Sequence, residues 1–358
     1  MTDLPSASTP VLSICVPTYN RAAALKNLLS NLQVVKARFG DQIEICVSNN
    51  HSSDETASVI ADFASSLSLR VRHQERNIGG TLNLIAVAQL GTGRWNVLVG
   101  DDDELLPDGL ALLLDYLSTR AEAGDWILAA VADADGRDLI LKDLPPGRFD
   151  MAGFHRIMLR TSLHPYGFMG THVFPAAAKA MLAALSLEQA RPWPHIATLL
   201  RMPLDCHVHV FKPPVMIQAK GGAKLFWNAG DLARITLSKL RILSHADAAV
   251  PGRQGFHHRL MLRELYSLTN LGLLVAWKLY EPTDFDAEAL QSYIDGWRRT
   301  GGWLPLALPH VLATLVLHAL PHRLLAGLFK AVGRGHFIGR YAKRKQELQA
   351  FDGIKRGI

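Results

Sequence analysis

Val97-Leu98-Val99-Gly100-Asp101-Asp102-Asp103-Glu104 sets four consecutive carboxylates directly behind a short apolar run. Apolar or small residues that close on a glycine read as a buried strand, and in open α/β sheets ligands collect beyond the carboxyl ends of the strands. Four adjacent negative charges repel one another unless a cation is near. Hard oxygen donors with few thiols or imidazoles around them suit Mg²⁺ or Mn²⁺, ions that bind through one or two carboxylates together with substrate phosphates. The same acids also suit the start of the helix announced by Pro107-Asp108, because Asp and Glu favour helix amino termini. On this stretch alone both readings stand.

Working outward, strands and helices alternate. Residues 11–17 (VLSICVP) are an apolar run stopped by Pro17, and Asn20 to Gln33 has the leucine spacing of an amphipathic helix. Ile43 to Ser48 and Asp54 to Ser65 repeat the cycle, the helix being introduced by Ser52-Ser53-Asp54-Glu55. Leu69 to His73, Thr81 to Gln89 and Trp95 to Val99 continue it as strand, helix and strand. This alternation predicts a parallel sheet with right-handed crossovers. Leu110 to Leu117 reads as a further helix and Trp126 to Val131 as a further strand, after which Asp138 to Gly170 has the Gly, Pro, His and aromatic content of loops around a cleft. Helices are expected over 174–187 and 195–202, a strand over 207–218, and helices from about Asp231 to the end.

Composition narrows the class. At 358 residues the chain is long enough for about two domains, and 49% hydrophobic against 20% charged residues excludes a disordered protein. Cys15, Cys46 and Cys206 have neither a disulfide framework nor a zinc spacing, as expected in a reducing compartment. The net charge of +6 is uneven. Residues 321–358 carry nine Lys or Arg against two acids, net +7, which leaves −1 for the rest and no uniformly basic surface for nucleic acid. The start MTDLPSASTP lacks a basic region followed by an apolar core, so no secretory signal is expected.

VLSICVPTYNRAAAL (11–25), EICVSNNHSSDET (44–56), RNIGG (76–80) and LVGDDDELLPDGL (98–110), in this order and spacing, resemble the family 2 glycosyltransferases of the GT-A fold, among them those of bacterial cell-surface polysaccharides. The resemblance covers roughly residues 8–220. It implies a nucleotide-sugar donor, a UDP-sugar first, a divalent Mn²⁺ or Mg²⁺, and inversion at the anomeric carbon. Pro17, Thr18, Tyr19, Asn20 and Arg21 lie where a base and ribose would sit, with Tyr19 able to stack. Asn49 stands where the family commonly has an aspartate facing the base. Arg76, Asn77 and Gly80 precede a helix, where glycine permits close approach to a diphosphate and Arg76 would offset its charge. Placed by Pro107, the family's paired acids, the DXD-type motif, correspond to Asp101 and Asp102. Asp101 would contact ribose or a metal-bound water, Asp102 would hold the metal, and Asp103 would share the site or orient the loop.

Inverting transfer to a hydroxyl needs a base. The family places an Asp or Glu some 90 residues further on, where this chain has Arg191-Pro192-Trp193-Pro194-His195 and no acid. His195 is therefore the expected base, with helix capping or acceptor binding as its other readings. His164, Tyr166, His172 and Trp193 are expected on the acceptor side, by stacking and hydrogen bonding to sugar. Lys220 to Lys224 lies where members have a loop closing over the donor phosphates.

Trp303 to Leu320 is apolar but interrupted by Pro305, Pro309, His310 and His318, and with the basic residues after it suits an element lying on an anionic bilayer. The expected layout is a catalytic domain over 1–225, with a nucleotide-sugar half (8–115) and an acceptor half (116–225), then a helical, membrane-associating extension over 226–358. The expected activity is transfer from a nucleotide sugar to a saccharide or lipid-linked saccharide in surface polysaccharide or lipopolysaccharide assembly, at the inner face of the cytoplasmic membrane. Transfer to a polyprenyl phosphate and a non-catalytic sugar-binding or scaffold protein are the alternatives.

Overall fold

A computed structural model of the chain describes residues 9–133 and 140–218 apart from 162, 164, 165 and 192, together with residues 254–265 and a few isolated positions beyond 240. The elements follow in the order β1 (Leu12–Thr18), α1 (Ala22–Phe39), β2 (Ile43–Asn49), α2 (Thr56–Leu67), β3 (Arg70–His73), α3 (Gly80–Leu90), β4 (Trp95–Leu98), β5 (Glu104–Leu105) and α4 (Pro107–Thr119). Then come β6 (Trp126–Ala132), β7 (Gly147–Asp150), α5 (Met151–Thr161), β8 (His172–Pro175), α6 (Ala178–Ala183), α7 (Leu187–Ala190), α8 (Pro194–Leu199), β9 (His207–Ile217) and α9 (Gln254–Leu265).

One sheet holds all nine strands in the order β3-β2-β1-β4-β8-β6-β9-β5, with β7 paired to β9. Strands β3, β2, β1, β4, β6 and β9 run one way, while β8, β5 and β7 run the other. β1 and β2 are buried along nearly their whole length because helices cover both faces, which is why they read as unbroken apolar runs. α1 presents Leu25, Leu28, Leu29, Leu32, Val35 and Phe39 at helical spacing to this core. Each such side chain contributes about 1.5–3 kcal/mol when fully buried.

The chain divides into two units, residues 1–222 with 245–256, and residues 223–244 with 257–358; the description that follows concerns the first. The expected 174–187 helix is instead the end of β8 followed by α6 and α7. The break falls at Ser186, whose hydroxyl accepts from the Gln189 N–H in a capping box and so starts a new helix. β7 and α5 both lie where loops are expected. Lys220 to Lys224 and Trp303 to Leu320 lie outside the described residues. Among the described residues no helix is long and apolar enough to cross a membrane.

Candidate active site

β1, β2, β3 and β4 are mutually parallel, so the loops after them meet at one edge of the sheet. The register pairs Thr18 with Asn49, and β4 lies on the other side of β1. This brings the 18–21 segment against Gly100 to Asp103. Thr18 Oγ1 donates to Asp101 Oδ2 at 2.8 Å. Arg21 spans both following acids, with Nη1 3.1 Å from Asp101 Oδ1 and Nη2 2.5 Å from Asp102 Oδ2. The cation that the acid run demands is thus present within the chain. Asp101 is buried, and burial pushes its carboxyl up to about 6 even though Arg21 and Thr18 pull it down; Asp102 adds to the rise.

Asp103 turns inward. Its Oδ2 accepts from the Gly100 N–H at 3.1 Å, and its own N–H donates to the Gly100 carbonyl, also at 3.1 Å. Both bonds close the turn that carries Asp101 and Asp102. A Cβ on Gly100 would come within 2.7 Å of Asp103 Oδ2 and 3.1 Å of Asp102 Oδ1, so a side chain there would displace these carboxylates. Glu104 sits exposed on β5, outside the cluster.

The neighbouring loops hold one another. Asn20, at φ 51°, adopts the left-handed conformation that asparagine tolerates. Its Oδ1 accepts from Ser53 N–H at 2.8 Å, and its N–H donates to Ser52 Oγ at 2.9 Å. Asp54 accepts from the Ala22 N–H at 3.1 Å and Thr56 Oγ1 from the Arg21 N–H at 3.3 Å, so the β2–α2 loop caps the start of α1. Three bonds and burial set the Asp54 carboxyl: burial raises it, but Thr56 and Ala22 bring it below its ordinary value. Asn49 Oδ1 accepts from Ser52 N–H at 3.0 Å while its amide faces His73 Nδ1 at 3.3 Å. Asn50 bonds Asn77 and the Ile78 N–H, both at 2.9 Å, and Asn77 accepts from the Gly79 N–H at 2.8 Å. Asn20, Asn49 and Asn77, expected against the nucleotide, therefore spend much of their hydrogen bonding on loop shape. Tyr19 is 44% exposed, Arg76 and Gly80 are exposed, and Pro17 is half-buried at the end of β1.

Because β8 is antiparallel to β4, its first residue lies at this same sheet edge. His172 is nevertheless fully buried. Trp126 Nε1–H donates to its Nδ1 at 3.2 Å, which leaves the proton on Nε2 to donate to the Tyr166 carbonyl at 2.7 Å. Burial lowers its pKa to about 4, with the Tyr166 carbonyl opposing. Tyr166 is buried too, its hydroxyl 3.0 Å from Thr161 Oγ1. Neither presents a polar atom to an acceptor, which corrects the expectation for both: their polar groups are consumed inside the wall. His195 is 2% exposed and packs against His172 with ring centroids 4.6 Å apart, with the Gly167 and Tyr166 backbone close enough to oppose part of its pKa shift. Burial first, then His172, lower its pKa well below the usual value. Trp193 is half-buried ahead of α8, and His164 lies outside the described residues.

A second acidic cluster, which the sequence did not single out, lies at the opposite end of the sheet, where β6 and β9 begin. Glu122, Asp125 and His207 form the only grouping of three metal-type ligand atoms among the described residues. Arg148 already occupies it, with Nη2 2.9 Å from Glu122 Oε1 and 3.1 Å from His207 Nδ1, and Nε 3.8 Å from Asp125.

Comparison with known proteins agrees with this geometry. Residues 13–163 match the family model described as Glycosyl transferase family 2. Abequosyltransferase RfbV of Salmonella typhimurium is 31% identical over 160 residues, 44% of this chain and 44% of that one. The GalNAc(5)-diNAcBac-PP-undecaprenol beta-1,3-glucosyltransferase of Campylobacter jejuni is 32% identical over 108 residues, 29% of this chain and 34% of that one. The chain thus spans under half the length of these curated relatives. Among solved structures, TarS 1–349 of S. aureus superposes with a TM-score of 0.58 at 18% identity, covering 89% of this chain and 91% of that one. The mannosyltransferase PcManGT from Pyrobaculum calidifontis, in complex with GDP-Man and Mn²⁺, gives 0.50 at 18% identity over 89% of each chain. The fold is GT-A.

Proposed function

We propose that the chain is a metal-dependent, inverting glycosyltransferase that moves a sugar from a nucleotide-sugar donor to a saccharide or lipid-linked saccharide in bacterial surface polysaccharide assembly. The observation that carries this reading is the Asp101–Asp102 pair at the carboxyl end of β4, held by Thr18 and Arg21 within a glycosyl transferase family 2 domain. The names of the Salmonella and Campylobacter relatives support a saccharide or lipid-linked acceptor, and the Mn²⁺ complex of the Pyrobaculum enzyme supports a divalent ion.

The residues present suit such an ion. Asp102 Oδ1 has no hydrogen-bond partner among the described residues, and the side chain keeps 14% exposure while Asp101 stands buried behind it. Asp102 would hold the cation, with Asp101 as its neighbour and not Asp103. When bound, a divalent cation offsets negative charge on the departing nucleoside diphosphate. The remaining work falls to side chains. Tyr19 stacks on the base, Thr18 and Arg21 fix Asp101, Arg76 offsets diphosphate charge, and the stapled Asn20, Asn49 and Asn77 keep the loops in shape to receive the donor. Residues 1–225 would form the catalytic domain and 226–358 a helical extension that associates with membrane.

We do not assign the base to His195. A base must reach the acceptor hydroxyl and hold a proton near neutral pH, whereas His195 is buried and its basicity is depressed. This observation favours one second reading, transfer to a polyprenyl phosphate, whose acceptor oxygen is already ionised and needs no base. Nucleotide release from a panel of nucleotide sugars with Mn²⁺, comparing saccharide acceptors with polyprenyl phosphate, tests both. Release that depends on Mn²⁺ and falls at least about a hundredfold in Asp102→Asn supports the enzyme. Binding of nucleotide sugars without turnover under every condition would instead make the chain a sugar-binding protein.

A further inference from the structure

Two adjacent carboxylates aimed at one point need a positive charge between them. Here that charge is a guanidinium that forks across two residues, taking one oxygen from each. The fork is built. The backbone N–H of Arg21 is held by Thr56, the next N–H by Asp54, and the preceding one by Ser52, which fixes Arg21 just ahead of α1, where its side chain meets the acids. The opening is also one-sided. Arg21 keeps 23% of its side chain exposed and Asp102 14%, against 6% for Asp101, so a ligand reaches the pair through Asp102 and the arginine.

The geometry points to Arg21 as a resident counter-cation that a divalent metal must displace: the guanidinium neutralises the pair in the metal-free chain and gives up Asp102 when the metal binds. This rests on the metal-dependent reading above. A cation arriving alone has to break an ion pair at 2.5 Å before it can use both oxygens of Asp102. Arg21 therefore sets the metal affinity without being a ligand. It keeps the acids together when no ion is bound and weakens capture of free metal.

Mn²⁺ binding to the full chain, without nucleotide, tests this by electron paramagnetic resonance and by the rise in melting temperature on Mn²⁺ addition. Arg21→Met, which keeps the aliphatic stem and removes the charge, is expected to raise Mn²⁺ affinity about tenfold, the middle of the usual range for coupling between competing sites. The metal-free variant is expected to melt below the natural chain and to gain more from Mn²⁺. Arg21→Lys, which keeps a charge but engages one carboxylate at a time, should fall between them, and it carries the comparison if Arg21→Met does not fold. With Mg²⁺ as the diamagnetic probe, the Arg21 guanidinium resonances should lose their hindered rotation on saturation.

Unchanged or weaker Mn²⁺ affinity in both Arg21 variants, with Asp102→Asn still abolishing binding, would overturn the exchange and leave the metal site intact. Persistence of the hindered guanidinium at Mg²⁺ saturation would overturn it as well. If Asp102→Asn binds Mn²⁺ as the natural chain does, the pair is not the metal site, and the functional reading falls together with the exchange.

Discussion

Acid should weaken this fold already above the ordinary carboxylate range, and the cause should be His172. The ring is buried and locked as the neutral tautomer by a donor on one nitrogen, Trp126, and an acceptor on the other, the Tyr166 carbonyl. Its pKa in the folded chain is about 4, against 6.5 for the free side chain. A group whose folded pKa is depressed favours folding at full strength above its unfolded value and loses that contribution as pH falls toward the folded one. One such group loses about 1.4 kcal/mol per pH unit inside this window, so going from pH 7 to pH 5 removes about 2 kcal/mol. His195, against the same ring, shifts in the same direction and adds to the loss. The measurement is urea unfolding from pH 7 to pH 5 for the natural chain and His172→Gln, whose amide offers one acceptor and one donor but does not titrate. His172→Gln is expected to be less stable at pH 7 by about 1–3 kcal/mol for imperfect hydrogen bonds. Its stability should nevertheless fall less on acidification, closing the gap by about 2 kcal/mol at pH 5. Parallel pH profiles for the two proteins would refute the assignment, whatever the offset between them.

Gly100→Ala should leave the melting temperature within a few degrees yet lower Mn²⁺-dependent turnover at least about tenfold, because the added methyl meets the Asp103 and Asp102 carboxylates and displaces them. Gly109→Ala should act on stability instead. Its Cβ would lie 1.8 Å from the Pro214 carbonyl oxygen, so α4 must move off β9, at about 1–3 kcal/mol or more in a chemical denaturation curve. Glu44→Gln should also destabilise the chain, by about 1–3 kcal/mol. The natural carboxylate accepts from Ser13 Oγ at 2.5 Å and from the N–H groups of Thr92 and Gly93. Burial raises the Glu44 pKa, but these bonds bring it below the model-peptide 4.5, so its contribution is present above that value and is lost as pH falls through the lowered one. Equal acid profiles for Glu44→Gln and the natural chain below pH 4.5 would contradict this.

β1 and β2 were legible because parallel strands covered on both faces must be apolar throughout, and α1 because its leucines repeat at helical spacing. β8 was not. Its four residues end in proline, and the alanine-rich stretch after it has helix propensity that hides the strand. At the site, the acids and the 18–21 segment were visible as motifs, but their meeting depends on β4 lying beside β1 with two strands and three α-helices intervening in sequence. Local pattern carries no information on that pairing, which is why Arg21 read as a nucleotide contact and not as the partner of Asp101 and Asp102. The burial of His172 and His195 was hidden for a related reason. A His beside Gly and aromatic residues looks the same whether it lines a cleft or is buried, and Trp126, which decides the matter for His172, lies 46 residues away.

Two carboxylate clusters in one domain, each answered by an arginine, separate what structure needs from what chemistry needs. At the β6–β9 end, Arg148 faces Glu122, Asp125 and His207, and Asp125 is bonded a second time by His209 Nε2 at 2.7 Å, whose Nδ1 lies 2.6 Å from the Tyr116 hydroxyl. That chain of contacts joins α4, β6, β7 and β9, and moving Arg148 would undo it. At the β4 end the arginine holds two adjacent aspartates and its position is fixed by the backbone of its own loop. Thr18 separately bonds Asp101, and Asp103 separately bonds the turn at Gly100. The cluster with the conventional metal-ligand grouping is therefore the one already tied into four elements of the fold.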